Sequence, residues 1–146
     1  MANPLTVSAQ GAQLAPNAPQ DKPVHSDSPQ RAHAALAPYI ERARATYPQA
    51  RDRYLAGLPR GESFFVTLSL RDDHGTEEMV FLLVKAIGGG YVNGTISNRI
   101  ERVEGYWQGE MLAFPEGQIV DWLITKPDGS EEGNVVGKFM ESHGDF

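Results

Sequence analysis

Met79-Val80-Phe81-Leu82-Leu83-Val84, then Gly88-Gly89-Gly90, then Val92-Asn93-Gly94-Thr95-Ile96-Ser97-Asn98, and further on Ile119-Val120-Asp121-Trp122-Leu123-Ile124: these four stretches decide the fold. The first is apolar at both parities, so residues 78–86 read as a central strand covered on both faces. The glycines make a turn, and residues 91–97 follow as a third strand ending at Asn98. The fourth stretch reads as a strand from Gln118 to Thr125.

Upstream, residues 62–70 alternate, with Phe64, Val66, Leu68 and Leu70 against Phe65, Thr67 and Ser69. That pattern predicts a half-buried strand, joined to the next by a turn at residues 71–76. Before it, Leu36, Ile40, Ala43, Tyr47, Ala50 and Tyr54 recur at steps of three and four, which is one face of a helix over residues 35–57. Pro48 predicts a kink, or a break near Thr46 with a restart. Arg42, Arg44, Arg51 and Arg53 fall mostly off that face and read as a solvated surface, with a binding surface as the alternative. Downstream, residues 99–109 read as a loop carrying Tyr106 and Trp107, and Met111–Phe114 as a short strand ending at Pro115. Residues 126–130 have Asp-Gly at a hairpin tip, and Val135–Met140 read as the last strand.

Residues 1–30 are rich in Ala, Pro, Gln, Asn and Ser without apolar period, so nothing offsets the entropy of ordering them. The expected organisation is a disordered tail over 1–30 and one domain over 31–146. The fold class expected is α+β: an N-terminal kinked helix or helix pair packed on a curled antiparallel sheet of five to six strands.

Composition removes several functions. The chain of 146 residues has no cysteine, so disulfides, iron–sulfur clusters, thiolate zinc sites and cysteine nucleophiles are excluded. The N-terminal residues lack a basic and an apolar signal region, and no run is long enough to span a membrane. A cytoplasmic protein is the expectation, with non-classical secretion as the alternative. Net charge is −6 overall but uneven, +4 over residues 31–60 and −9 over 61–146. Phosphate binding needs a basic surface, so nucleic acid is a poor partner and a protein with a basic surface a better one.

Asp121 is the most informative single residue. Both faces of its strand are apolar, so the carboxylate lands on an apolar face in either orientation. Burying it unpaired would cost several kcal/mol. It needs an arginine, a pair of backbone N–H groups, or an opening to solvent. Asp72, Asp73, His74, Glu77 and Glu78 cluster, but they match no metal-loop spacing and read as a hairpin tip. Gly88-Gly89-Gly90 lacks the Gly-Lys-Ser/Thr ending and the following helix of a phosphate loop. No Gly-x-Ser-x-Gly elbow is present. Trp122 alternates into a strand face and reads as core, whereas Trp107 beside Tyr106 reads as a contact aromatic or one folded back on the sheet.

Between Ala35 and Phe139 the chain resembles the DUF2314 family of bacterial proteins, which includes the YegJ-like proteins. The resemblance rests on Ala43-Arg44-Ala45-Thr46-Tyr47-Pro48, Glu78-Met79-Val80-Phe81, Asn93-Gly94-Thr95-Ile96-Ser97-Asn98, Val120-Asp121-Trp122-Leu123 and the glycine-containing segment Gly133–Gly137. It departs from the family at Thr67, Met79 and Arg99, where the family often has lysine, histidine and proline. The resemblance implies the fold and its boundaries but no reaction.

The reading that follows is a non-enzymatic protein-interaction domain, of the kind that neutralises a toxin as an immunity protein, with no cofactor, no metal and no catalytic residue. Its candidate binding residues are Glu78, Asn98, Tyr106, Trp107, Asp121 and Trp122. A small-ligand or hydrolytic site near Glu78, Asn98 and Asp121 is the first alternative. A substrate of a specialised secretion system, with residues 1–30 as its signal, is the second.

Overall fold

The computed structural model describes residues 29–143. In chain order the elements are α1 (Pro29–Ala56), β1 (Ser63–Arg71), β2 (Glu77–Gly88), β3 (Tyr91–Ile96), β4 (Met111–Pro115), a 3-10 turn (Glu116–Gln118), β5 (Asp121–Thr125), β6 (Glu131–Gly133) and α2 (Val135–His143). The strands form one antiparallel sheet in the order β4-β3-β2-β1-β5-β6. The class is α+β, as the pattern predicts. Of the tail expected over residues 1–30, residues 1–28 lie outside the described residues, and Pro29 and Gln30 belong instead to α1.

α1 is one helix, not a pair, and it continues through both Pro38 and Pro48. A helix-interior proline costs roughly 3 kcal/mol. Burial on both sides of Pro48 offsets it: Tyr47 and Ala50 are buried, and Tyr54 stacks on Phe64 with ring centroids 5.3 Å apart. These residues face the main core, formed by Phe64, Val66, Leu68 and Leu70 of β1 with Val80, Leu82 and Val84 of β2, and by Trp122 and Ile124 of β5. Residues paired directly across an antiparallel sheet share a face, and the pairs Val66–Leu82 and Val66–Trp122 place these side chains together.

The other face of the sheet is apolar as well. Phe65, Phe81 and Leu123 form a cluster there with Leu83. β1 is therefore buried on both faces rather than half-buried, with Phe64, Val66, Leu68 and Leu70 in the main core and Phe65 in the second cluster. Two-sided burial, expected over residues 78–86, holds over 78–84 and stops at the exposed Lys85 and Ala86, where the β2–β3 register shifts. A third cluster joins Leu36 of α1, Met79, Val120, and Val136 and Met140 of α2.

Five residues, 116–120, carry the chain from β4 to β5 past three intervening strands. β4 and β5 are four spacings apart, about 19 Å when flat; the 3-10 turn at 116–118 rises only about 2.0 Å per residue and leaves the link too short for that, so the sheet curls. α1 holds the link in place. The Tyr47 hydroxyl donates to Glu116 at 2.7 Å, Arg51 lies 3.5 Å from the same carboxylate, and Arg44 Nε donates to the Ile119 carbonyl at 2.9 Å. The arginines off the apolar face are thus not uniformly a solvated surface. Arg53 also reaches the sheet, making two bonds to Glu132 at 2.8 and 3.0 Å.

The segment Val135–Met140 is a helix, not a strand. Its apolar residues Val135, Val136, Phe139 and Met140 fall at the helical spacing, and the two adjacent valines obscure that period. Gly133 and Asn134 both have positive φ, 80° and 58°, which ends β6 and turns the chain away from the sheet. A side chain at Gly133 would come within 2.4 Å of the Trp122 carbonyl oxygen, so only glycine fits this corner.

Candidate functional site

Four polar side chains organise the sheet's surroundings, and each does so through backbone groups. Glu78 is 3 % exposed on β2. Its Oε1 accepts N–H from Arg102 at 2.8 Å and Val103 at 3.1 Å, and its Oε2 accepts from Glu101 at 3.0 Å. Three backbone N–H groups of one loop thus converge on a single carboxylate. Asn98 tethers the start of the same loop, its Oδ1 accepting the Phe81 N–H. Asp72, in the β1–β2 turn, accepts N–H from His74 and Thr76 and, with its other oxygen, from Glu104 at 2.9 Å. The Glu104 N–H leads in drawing the Asp72 carboxyl below its ordinary pKa. Loop 97–110 is therefore pinned from below at Asn98, Glu101–Val103 and Glu104.

Asp121 works at the other end. It is 1 % exposed, and its oxygens accept the Trp122 and Val136 N–H groups, each at 2.7 Å. Val136 lies in the first turn of α2, so Asp121 supplies from a strand the cap that a local residue ordinarily gives a helix N-terminus. Asn134, which precedes the helix, has αL backbone; its Nδ2 donates to Glu131 and its buried Oδ1 has no hydrogen-bond partner. Gly137 leaves room for it, because a Cβ there would lie 2.2 Å from Asn134 Oδ1. Burial raises the Asp121 carboxyl to a pKa of about 6, against the lowering effect of its two N–H donors.

These placements divide the expected site residues. Glu78 and Asn98 are brought together as tethers of loop 97–110. Asp121 is two strands away from Phe81, in the row Asp121–Thr67–Phe81, and caps α2. Both of its oxygens are engaged by backbone N–H groups, which counts against a ligand or hydrolytic site that needs an available Asp121 carboxylate. Trp122 is 8 % exposed and its Nε1 donates to Thr46 at 2.9 Å, so it is a core residue. Tyr106 packs partly against the main core, and Trp107 is 51 % exposed. Among the described residues, no group of three His, Asp or Glu side chains has a metal-holding arrangement. No helix among them is long and apolar enough to cross a membrane.

Three contributors lie outside the candidate set. Sequence places Asp72 in a hairpin tip and Tyr47 on a core face, and gives Asn134 no role. The Gly133-Asn134 pair before an apolar segment is a helix-boundary signal that could have located the last.

Tyr91, Trp107 and Met111 are exposed by 49, 51 and 62 % and belong to β3, the loop and β4. Residues 97–116 around them carry Glu101, Glu104, Glu110 and Glu116 against Arg99 and Arg102. The site is a mildly acidic, apolar-studded sheet margin whose loop is tethered from beneath by Glu78, Asn98 and Asp72. Comparison of the chain with family models, curated proteins and solved structures returns no match.

Proposed function

We propose that this chain is a DUF2314-like, non-enzymatic protein-interaction domain whose loop 97–110 and adjoining β4 contact a partner with a basic surface, in the manner of an immunity protein that neutralises a toxin. The observation that carries this reading is Trp107, a large aromatic held out of the core on a loop whose backbone is pinned by Glu78, Asn98 and Asp72. A rigid exposed aromatic loses little conformational freedom on binding and is a common centre of interface energy. The acidic residues around it favour encounter with a basic surface and disfavour nucleic acid.

The test is capture from the source cell's lysate and secreted fraction, with wild type, Trp107→Ala and a chain lacking residues 1–30 as parallel baits. One stoichiometric partner, retained without residues 1–30 and lost with Trp107→Ala, is the expected result. The captured protein, purified, should bind wild type more weakly as salt rises. Absence of any partner across several salt concentrations overturns the reading. A partner that requires residues 1–30 instead favours the secretion-substrate alternative.

A further inference from the structure

Among the described residues, β4 stands at the end of the sheet order with no strand beyond it. The register decides which of its backbone groups face outward. Ile96 N–H donates to the Glu110 carbonyl and Glu116 N–H to the Gly90 carbonyl. With the pairs Thr95–Met111 and Tyr91–Pro115, this makes 111, 113 and 115 the residues that do not exchange hydrogen bonds with β3. Leu112 and Phe114 turn their N–H and C=O groups to β3. Met111 and Ala113 turn theirs to the open side, and Pro115 offers a carbonyl alone. Among the described residues, no hydrogen bond is made to these outward groups.

Three of the four exposed large apolar side chains among the described residues lie on this side of the sheet. Tyr91 and Met111 share one face of β3–β4, and Trp107 lies in the turn closed by Glu110 N–H to the Trp107 carbonyl. Glu110 and Glu116 bracket the strand. An unpaired edge of this kind recruits an extended segment as an added strand.

Resting on the interaction reading above, we infer that the outer edge of β4 accepts an extended, lysine- or arginine-bearing segment of the partner protein as a seventh strand. Glu110 favours that charge, whereas Glu116 is already engaged by Tyr47 and Arg51. The strand's own residues disfavour a second copy of this chain. Antiparallel pairing of two β4 strands centred on Ala113 would set Glu110 of one copy opposite Glu116 of the other, twice, and like charges directly opposite destabilise a sheet. Pro115 would face Met111 in the same arrangement and could not return its hydrogen bond. A partner segment is free of both penalties.

The experiment uses a phage-displayed random peptide library of about seven residues, the length of an ordinary strand, panned on the full chain. Enriched peptides are compared on wild type and Ala113→Pro. The Ala113 N–H makes no bond to β3, and proline is tolerated on a sheet edge, so this change removes the outward donor without deleting a ladder bond. Circular dichroism checks that the variant is folded. The expected result is enrichment of Lys- or Arg-rich peptides whose affinity falls about tenfold on Ala113→Pro and which shift the Met111 and Ala113 amide resonances of wild type. Should the variant fail to fold, the same peptides N-methylated at their strand-pairing amides replace it and must lose binding to wild type. No enrichment, enrichment of acidic peptides, or equal binding to Ala113→Pro overturns the inference. A captured partner that Ala113→Pro keeps and Trp107→Ala loses would remove the edge mode while leaving the interaction reading standing.

Discussion

The two margins of the sheet are finished differently. At the β6 end, Glu132 is held by Arg53 of α1 and by Lys126 at 2.9 Å, and α2 follows immediately, capped by Asp121. At the β4 end the polar work lies beneath the loop, in Glu78, Asn98 and Asp72, and the outer side carries Trp107, Met111 and Tyr91 in the open. A three-residue margin closed by ion pairs is protected against further pairing; one left apolar and unpaired is available for it. Buried carboxylates serve both ends, but one fastens a helix and the other presents a loop.

The contrast is broken most severely at Glu78. Replacing it with alanine leaves the Glu101, Arg102 and Val103 N–H groups without their shared acceptor and should cost about 4 kcal/mol. Urea unfolding measures the loss. Hydrogen exchange should show the 101–104 amides opening well before those of β1 and β5. Uniform acceleration throughout would mean that the loop is not separately held.

Asp121 sharpens the contrast through pH. Its carboxyl has an ordinary pKa of 3.8 and a folded value of about 6. Between these values the folded chain binds more protons than the unfolded one. Its contribution to stability therefore falls as pH rises through that window, by about 3 kcal/mol in all. Glu132 acts in the opposite sense and lower down. Arg53, followed by Lys126, draws its pKa from 4.5 to about 2, so its contribution is present above the ordinary value and lost as pH falls toward the folded one. Asp121→Asn should flatten the dependence between roughly pH 4 and 6 while leaving the acid-side loss in place. An unchanged slope in the variant would assign it elsewhere.

Glu132→Gln tests the sealing of the β6 margin and should cost less than about 1 kcal/mol, because the ion pairs are partly exposed. Its thermal midpoint should approach that of wild type in high salt. The smallest stability effect belongs to Trp107→Ala, within about 0.5 kcal/mol, though it should abolish partner capture. A large drop in the thermal midpoint would instead show the indole packed into the fold.

Much of the architecture was legible along the chain because local pattern and burial agree there. The two-parity apolar run at 79–84 marks an inner strand, and the steps from Leu36 to Tyr54 mark a helix. The Asp-Gly tip at 128–129 marks a hairpin, with Lys126 N–H bonded to the Ser130 carbonyl as that turn requires. The misread segment, Val135–Met140, is one where β-branched residues suggest a strand. Its helix has a cap from Asp121, a residue in another element, where no local pattern points.

From the sequence alone came the α+β class, the absence of thiol chemistry, the acidic bias of residues 61–146, and the requirement that Asp121 find a partner. Periodicity, composition and the cost of burying charge are properties of residues and their near neighbours. Only the tertiary structure decided that Asp121 is satisfied by α2, that Glu78 and Asp72 grip one loop from two points of a hairpin, and that Met111 and Ala113 lie outermost. These depend on which strands become neighbours and in what register. Contacts between residues far apart in the chain, stabilised jointly by the curled sheet and α1, settle both.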